Sequence, residues 1–183
     1  MACNLTNGRG EPCKDQVGGL NAVYFINYDD LDIADVTYST GDVDVITDLG
    51  TGLSAYKFDL KGTSNLEQAI TASRDNGTLF YEQVLNLVLH KQDKETTRYV
   101  HLLASGRPRI VVEDNNANAF MVGLEHGSDV SGGSIATGSA LGDLTGYNVT
   151  FTAQERKPAN FLSGATKDNP FAGMANAVTI VSS

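Results

Sequence analysis

Seven aspartates, Asp29, Asp30, Asp32, Asp35, Asp42, Asp44 and Asp48, fall within the stretch from Tyr28 to Asp48, and no lysine or arginine stands among them. Carboxylates at that density invite a divalent cation, and calcium, which takes roughly six to eight oxygen ligands, is the first to test. Asp30 and Asp32 have the opening spacing of an EF-hand loop, but Asp35 stands where the loop needs its glycine and no glutamate closes it. The cluster therefore reads as a solvated acidic surface.

The three histidines, His90, His101 and His126, show no metal-ligand spacing with one another or with the cysteines. His126 has Ser128 and Asp129 close behind it, the residue types of a hydrolytic constellation, but so local a trio suits a hairpin turn better than an active site. Gly50-Thr-Gly-Leu-Ser-Ala55 fits a relaxed dinucleotide fingerprint, yet Tyr56-Lys-Phe-Asp-Leu60 goes on as a strand where a phosphate-binding helix should begin. No catalytic residue, metal or cofactor is expected, and the protein is not expected to be an enzyme. Cys3 and Cys13 lie in a Gly-rich polar leader; they read as free thiols, or as a disulfide within or between chains formed in an oxidising medium.

The elements that carry these residues are mostly strands. Asn21 to Tyr28 is rich in β-branched and aromatic residues, and Val43 to Ile46 and Ala55 to Leu60 alternate with period two, so the front third, aspartates included, reads as a meander of short strands. Residues 64–91 read as one long hairpin about Asp75-Asn76-Gly77, where Asn and Gly accept the positive φ of a tight turn. On its second strand Leu85, Leu87 and Leu89 share a face. Residues 93–105 form the one helix, capped by Asp93, with Thr96, Tyr99, Val100 and Leu103 on one side and Gly106 at its end, lying across a sheet. Two more hairpins follow, one turning at residues 114–118 and one pairing 128–138 with 146–155. In the last strand Tyr147, Val149, Phe151 and Ala153 face the core, while Asn148, Thr150, Thr152 and Gln154 form a wetted face.

The expected architecture is mainly β, strands and hairpins over residues 20–162 with one flanking helix. Residues 1–19 and 163–183 read as extended N- and C-terminal arms, the second with a terminal strand at 177–181 open to pairing. The chain has 183 residues and a net charge of −9, from 22 acids and 13 bases, which argues against clinging to nucleic acid or an anionic membrane. The N-terminus lacks a basic segment followed by an apolar run, so synthesis in a cytosol is expected.

Four phrases carry a family resemblance: Ala55-Tyr-Lys-Phe-Asp-Leu-Lys-Gly-Thr-Ser-Asn-Leu-Glu-Gln68, Arg74-Asp-Asn-Gly-Thr-Leu-Phe-Tyr-Glu-Gln-Val-Leu85, Gly106-Arg-Pro-Arg-Ile-Val-Val-Glu-Asp114, and the run from Gly123 to Phe161. Over residues 54–162 they resemble structural proteins of tailed bacteriophages, the tail tube proteins most of all. That resemblance implies a β-sandwich or rolled, barrel-like sheet with one flanking helix, six copies in a ring whose inner sheets join into a continuous barrel, and rings stacked into a hollow tube. Double-stranded DNA passes through such a tube without specific binding, and sheath, baseplate and tail terminator proteins are the further partners it implies. The protein would then be assembled in a host bacterial cytoplasm and reside in the virion tail, with no membrane involved. Asp75, Asn76, Asn115 and Asn116 become candidate inter-subunit hairpin tips, and Asn148, Thr150, Thr152 and Gln154 candidate lumen residues. Another phage structural role, capsid decoration or head completion, is the alternative, followed by a sandwich-fold hydrolase or binding domain.

Overall fold

The computed structural model describes residues 7–11 and 13–182. The chain is mainly β, with one α-helix and two sheets packed face to face. In chain order the strands are β1 (Leu20–Ile26), β2 (Thr37–Tyr38), β3 (Val45–Asp48), β4 (Ser54–Asp59), β5 (Asn65–Ser73) and β6 (Thr78–His90). The helix α1 (Lys94–Ser105) follows, then β7 (Arg109–Asp114), β8 (Ala119–Val122), β9 (Asp129–Ala136), β10 (Gly146–Glu155), β11 (Asn160–Leu162) and β12 (Thr179–Val181).

The larger sheet runs β12-β4-β1-β7-β8-β11-β3-β2 and the smaller β5-β6-β10-β9. The two faces of the larger sheet explain the strand β1, whose apolar run does not alternate. Val23 and Phe25 join Ile110, Val112, Leu85, Leu87, Tyr147, Val149 and Phe151 between the sheets. Ala22, Tyr24 and Ile26 point the other way, into a second core closed by Leu31, Val36, Leu49, Leu53 and Phe171. A strand covered on both faces is apolar throughout, whereas β6 and β10 are covered on one face and alternate. The helix begins where expected, with the Asp93 carboxylate accepting the Glu95 N–H at 3.2 Å. Val100 and Leu103 turn its inner side against Phe25, Leu87, Leu89, Val149 and Phe151, and Tyr99 stacks edge-on to Phe58, so the helix plugs one end of the sandwich.

The hairpin expected at residues 64–91 is present, with Gly77 at φ 63° in its turn and nine paired positions from Asn65↔Asn86 to Ser73↔Thr78. The expectation of an extended C-terminal arm is corrected. Residues 163–181 fold back onto their own domain: Phe171 is buried with its ring edge-on to Tyr24, 5.6 Å between centroids, and β12 pairs in parallel with β4. Asn176 donates to both oxygens of Asp48, at 3.0 Å from its main chain and 2.6 Å from its side chain. Gly164, at φ 61°, packs so closely on Gly173 that an added Cβ would lie 2.9 Å from the Gly173 Cα, which is how the fold-back closes. β3, near one end of the sheet, is thereby tied to the segment leading into β12 at the other, and the sheet rolls.

One buried polar group makes a measurable prediction. The carboxylate of Glu113, fully buried, accepts hydrogen bonds from Asn21 Nδ2 at 2.7 Å and from the Tyr24 hydroxyl at 3.0 Å. Burial, and then the neighbouring Glu113 charge, push the Tyr24 hydroxyl well above its ordinary range. An unfolded tyrosine ionises near pH ~10 while the folded one stays neutral, so its contribution is intact below that pH and is lost as pH rises beyond it. Melting temperature is expected to fall more steeply from pH 9 to 11 in the native protein than in Tyr24→Phe, which starts lower for want of the Glu113 hydrogen bond.

Candidate functional site

The outer face of the smaller sheet is built by the alternation of β10 and β6. Asn148 and Gln154 are exposed and Thr150 and Thr152 half-buried, while Tyr147, Val149, Phe151 and Ala153 are buried beneath them. These four positions lie beside Val88, Asn86, Val84 and Glu82 of β6, and the β6 residues in turn lie beside Asn65, Glu67 and Ala69 of β5. Side chains bond across strands: the Thr150 hydroxyl donates to Asn86 Oδ1 at 2.9 Å, and Asn86 Nδ2 to Asn65 Oδ1 at 3.3 Å. Ser131 and Thr152 share a hydroxyl pair at 2.7 Å. No lysine or arginine occurs in any of the four strands, whose only formal charges are Glu67, Glu82, Asp129 and Glu155. The result is a hydrogen-bonding, weakly acidic surface whose strands carry no lysine or arginine.

The acidic stretch sits elsewhere. Its first four aspartates lie in and beside two short 3-10 turns, Tyr28–Asp30 and Ile33–Asp35, where a strand meander was expected. The turns exist because Leu31 and Val36 drop into the second core and Arg109 grips the chain from below. Its buried guanidinium donates to the carbonyls of Leu124 and Tyr28, both at 2.7 Å, and of Leu31, and lies 4.3 Å from the Tyr28 ring centroid. Burial lowers the Arg109 pKa, because desolvation disfavours the charge. The carboxylates serve their own turns: Asp30 accepts from Asn27 Nδ2 at 2.8 Å, Asp32 from the Ala34 N–H at 2.9 Å and Asp42 from the Asp44 N–H at 3.1 Å. Asp29, Asp30, Asp32, Asp35, Asp42 and Asp44 are exposed. Asp48 is corrected: it is buried and held by Asn176, so it adds nothing to the acidic surface. Because these turns cover the second core, they stand across the domain from the outer face of the smaller sheet.

The proposed hairpin tips differ from each other. Asp75 and Asn76 are exposed at the free end of the β5–β6 hairpin. Asn115 and Asn116 hold the chain's own leader: Asn116 exchanges two hydrogen bonds with the Val17 main chain, at 3.0 and 2.8 Å, and Asn115 Nδ2 donates to the Gly18 carbonyl at 2.8 Å. Cys13 is exposed in that leader, and its pairing with Cys3 lies outside the described residues.

His126 does not join Ser128 and Asp129. The Ser128 hydroxyl is fully buried without a hydrogen-bond partner among the described residues, whereas His126 Nδ1 faces the buried Glu155 at 3.3 Å. Glu155 also accepts the N–H groups of Glu125 at 3.1 Å and His126 at 2.9 Å, so it locks the loop after β8. Glu125, His126 and Glu155 bring ligand-type atoms within 4.8 Å of one another, the one such trio among the described residues. Glu155 was legible from parity, since it follows Tyr147, Val149, Phe151 and Ala153 on the core side of β10. Among the described residues no helix is long and apolar enough to cross a membrane. Comparison with protein-family models, with curated proteins and with solved structures gives no match to this chain.

Proposed function

We propose that the protein is a self-assembling structural subunit of a phage tail tube, six copies closing into a ring and rings stacking into a conduit for DNA. The observation that carries this reading is the smaller sheet. It presents a polar face without a lysine or arginine, and its edge strands, β5 and β9, are unpaired along their outer sides among the described residues. Unpaired edges of nine and eight residues are templates for pairing with another copy, and nearly equal lengths let one copy's β5 lie along the next copy's β9. A head-to-tail contact of that kind is heterologous and closes into a ring if its rotation permits.

The face that such a ring turns inward suits its cargo. DNA carries about one negative charge per ~1.7 Å, and a basic wall would bind it through counterion release and slow its passage. Amides, hydroxyls and a few carboxylates let it slide. The resemblance of residues 54–162 to tail tube proteins supports the same reading, as does the placement of one helix beside a sandwich. No bond is made or broken; the work is geometry and charge. Purified protein viewed by negative-stain microscopy is expected to show hollow rings or tubes. A strictly monomeric protein at high concentration would overturn the proposal.

A further inference from the structure

Two segments far apart in the chain bring ligand-type side chains together at one corner of the sandwich. β10 ends on Glu155, which is 5% exposed and lies on the core side of its strand. Its Oε1 accepts the N–H groups of Glu125 at 3.1 Å and His126 at 2.9 Å, which fixes the carboxylate in place. Its Oε2 has His126 Nδ1, at 3.3 Å, as its one partner among the described residues. The half-buried Glu125 offers its carboxylate to the same spot, and one ligand atom from each of the three side chains lies within 4.8 Å of the others. The loop at 123–128 that carries Glu125 and His126 is itself held: the Tyr28 hydroxyl donates to the Glu125 carbonyl at 3.0 Å, and Arg109 Nε to that of Leu124 at 2.7 Å. A cavity of about 10 Å³ adjoins both glutamates, with Tyr38 and Lys157 in its wall. Burial first, and then the charges of Glu125, Asp44 and Glu155, raise the Tyr38 hydroxyl above its ordinary range. The Lys157 amine lies over the Tyr38 ring, 5.3 Å from its centroid, and forms an ion pair with neither glutamate. Arg109 directs its donors to main-chain carbonyls and leaves Glu155 Oε2 to the histidine.

We propose that Glu125, His126 and Glu155 bind a divalent cation of the zinc class, which ties the 123–128 loop to the end of β10. A tetrahedral ion about 2.0–2.1 Å from each of two ligands holds them about 3.3–3.4 Å apart. His126 Nδ1 and Glu155 Oε2 already stand at 3.3 Å, whereas a charge-assisted hydrogen bond would draw them to about 2.7–2.9 Å. Glu125 closes the set by a shift of a side chain that is only half-buried. Three protein ligands leave a fourth position, and the cavity beside the two glutamates has the size of the one water that fills it. The donors select the ion, because an imidazole suits zinc, while calcium asks for about six to eight oxygens and finds two carboxylates. No local motif announces the set, since Glu155 lies 30 and 29 residues from Glu125 and His126.

The test adds zinc chloride to the full chain after treatment with a chelator. The melting temperature is expected to rise by about 5–10 °C once zinc reaches a hundred times its dissociation constant, and calcium at the same concentration is expected to leave it unchanged. Cobalt in place of zinc should give the visible absorption of a four-coordinate ion. His126→Ala and Glu125→Gln alter an exposed and a half-buried side chain, so without metal both are expected to melt within about 2 °C of the native protein. Each should weaken zinc binding at least tenfold by titration calorimetry and abolish the cobalt band, while Cys3→Ser/Cys13→Ser and His101→Ala should bind as the native protein does. A native protein that zinc does not stabilise would overturn the site. So would a zinc effect that survives both ligand variants, one that is lost with the cysteines, or one that calcium reproduces. None of these signals requires rings or tubes, so the result is independent of the tube proposal.

Discussion

Phe171→Ala is expected to destabilise the monomeric domain by about 3–5 kcal/mol, the range for truncating a buried aromatic in a core that relaxes only partly. The ring is 4% exposed, lies edge-on to Tyr24, and shares a core with Ile26, Leu49 and Leu53. For a domain of this size each kcal/mol moves the melting temperature by roughly 2–4 °C, so a drop on the order of 10 °C is expected by circular dichroism. Leu102→Ala, at a helix position 55% exposed, is the control and should change stability by less than about 0.5 kcal/mol. If residues 163–181 were instead an arm engaged only by neighbours, Phe171→Ala would leave the monomer's melt where it was and change assembly alone.

The second large effect concerns charge on the smaller sheet. Asn148 and Gln154 are exposed on β10, and neither side chain hydrogen-bonds to another described residue, so lysines at both positions are expected to leave the fold intact. In a six-copy ring the pair adds about twelve cations to one continuous wall. On the proposed tube reading, tubes of Asn148→Lys/Gln154→Lys are expected to capture double-stranded DNA far more strongly than tubes of the native protein. Their affinity should fall by about a thousandfold or more between 50 and 200 mM salt, as counterion release requires for six or more phosphate contacts. Fluorescence anisotropy with a labelled duplex reads this directly. Variant tubes that bind no more DNA than native ones would show that this face does not line the bore.

What could be read in advance follows from where burial has a period. β10 and β6 are covered on one side only, so their two-residue alternation is written in the chain, and the Asp75-Asn76-Gly77 turn and the Asp93 cap announce themselves by residue type. Of the fold-back after Pro158 only the terminal strand at 177–181 has such a signal; β12 is there, but its place beside β4 is not written locally. Besides the β12–β4 pairing the fold-back is held by Phe171 and by Asn176, whose partner Asp48 lies 128 residues away, and contacts at that separation leave no local pattern. The same contact explains why Asp48 looked like one more surface acid. The aspartates of the 3-10 turns lie between segments whose composition and alternation read as strands, whereas the local shape is set by Arg109, far along the chain, gripping carbonyls of Tyr28 and Leu31. At the candidate site, the polar face was legible from β10 alone. Behind it, Glu155 was legible from its parity on β10, whereas the Glu125 and His126 N–H groups that it holds belong to a loop without a period.

The exposed turns from Asp29 to Asp35 stand on the side of the domain away from the cation-free sheet. If that sheet lines a bore, these carboxylates coat the outside of the filament, and their consequence is colloidal. Long rods attract one another along their whole length, and an anionic exterior keeps them apart at low ionic strength while the repulsion fades within a screening length of about 10 Å at 0.1 M salt. Such filaments would stay dispersed in dilute buffer and bundle side by side as salt or a polyvalent cation rises, with the bore unaffected.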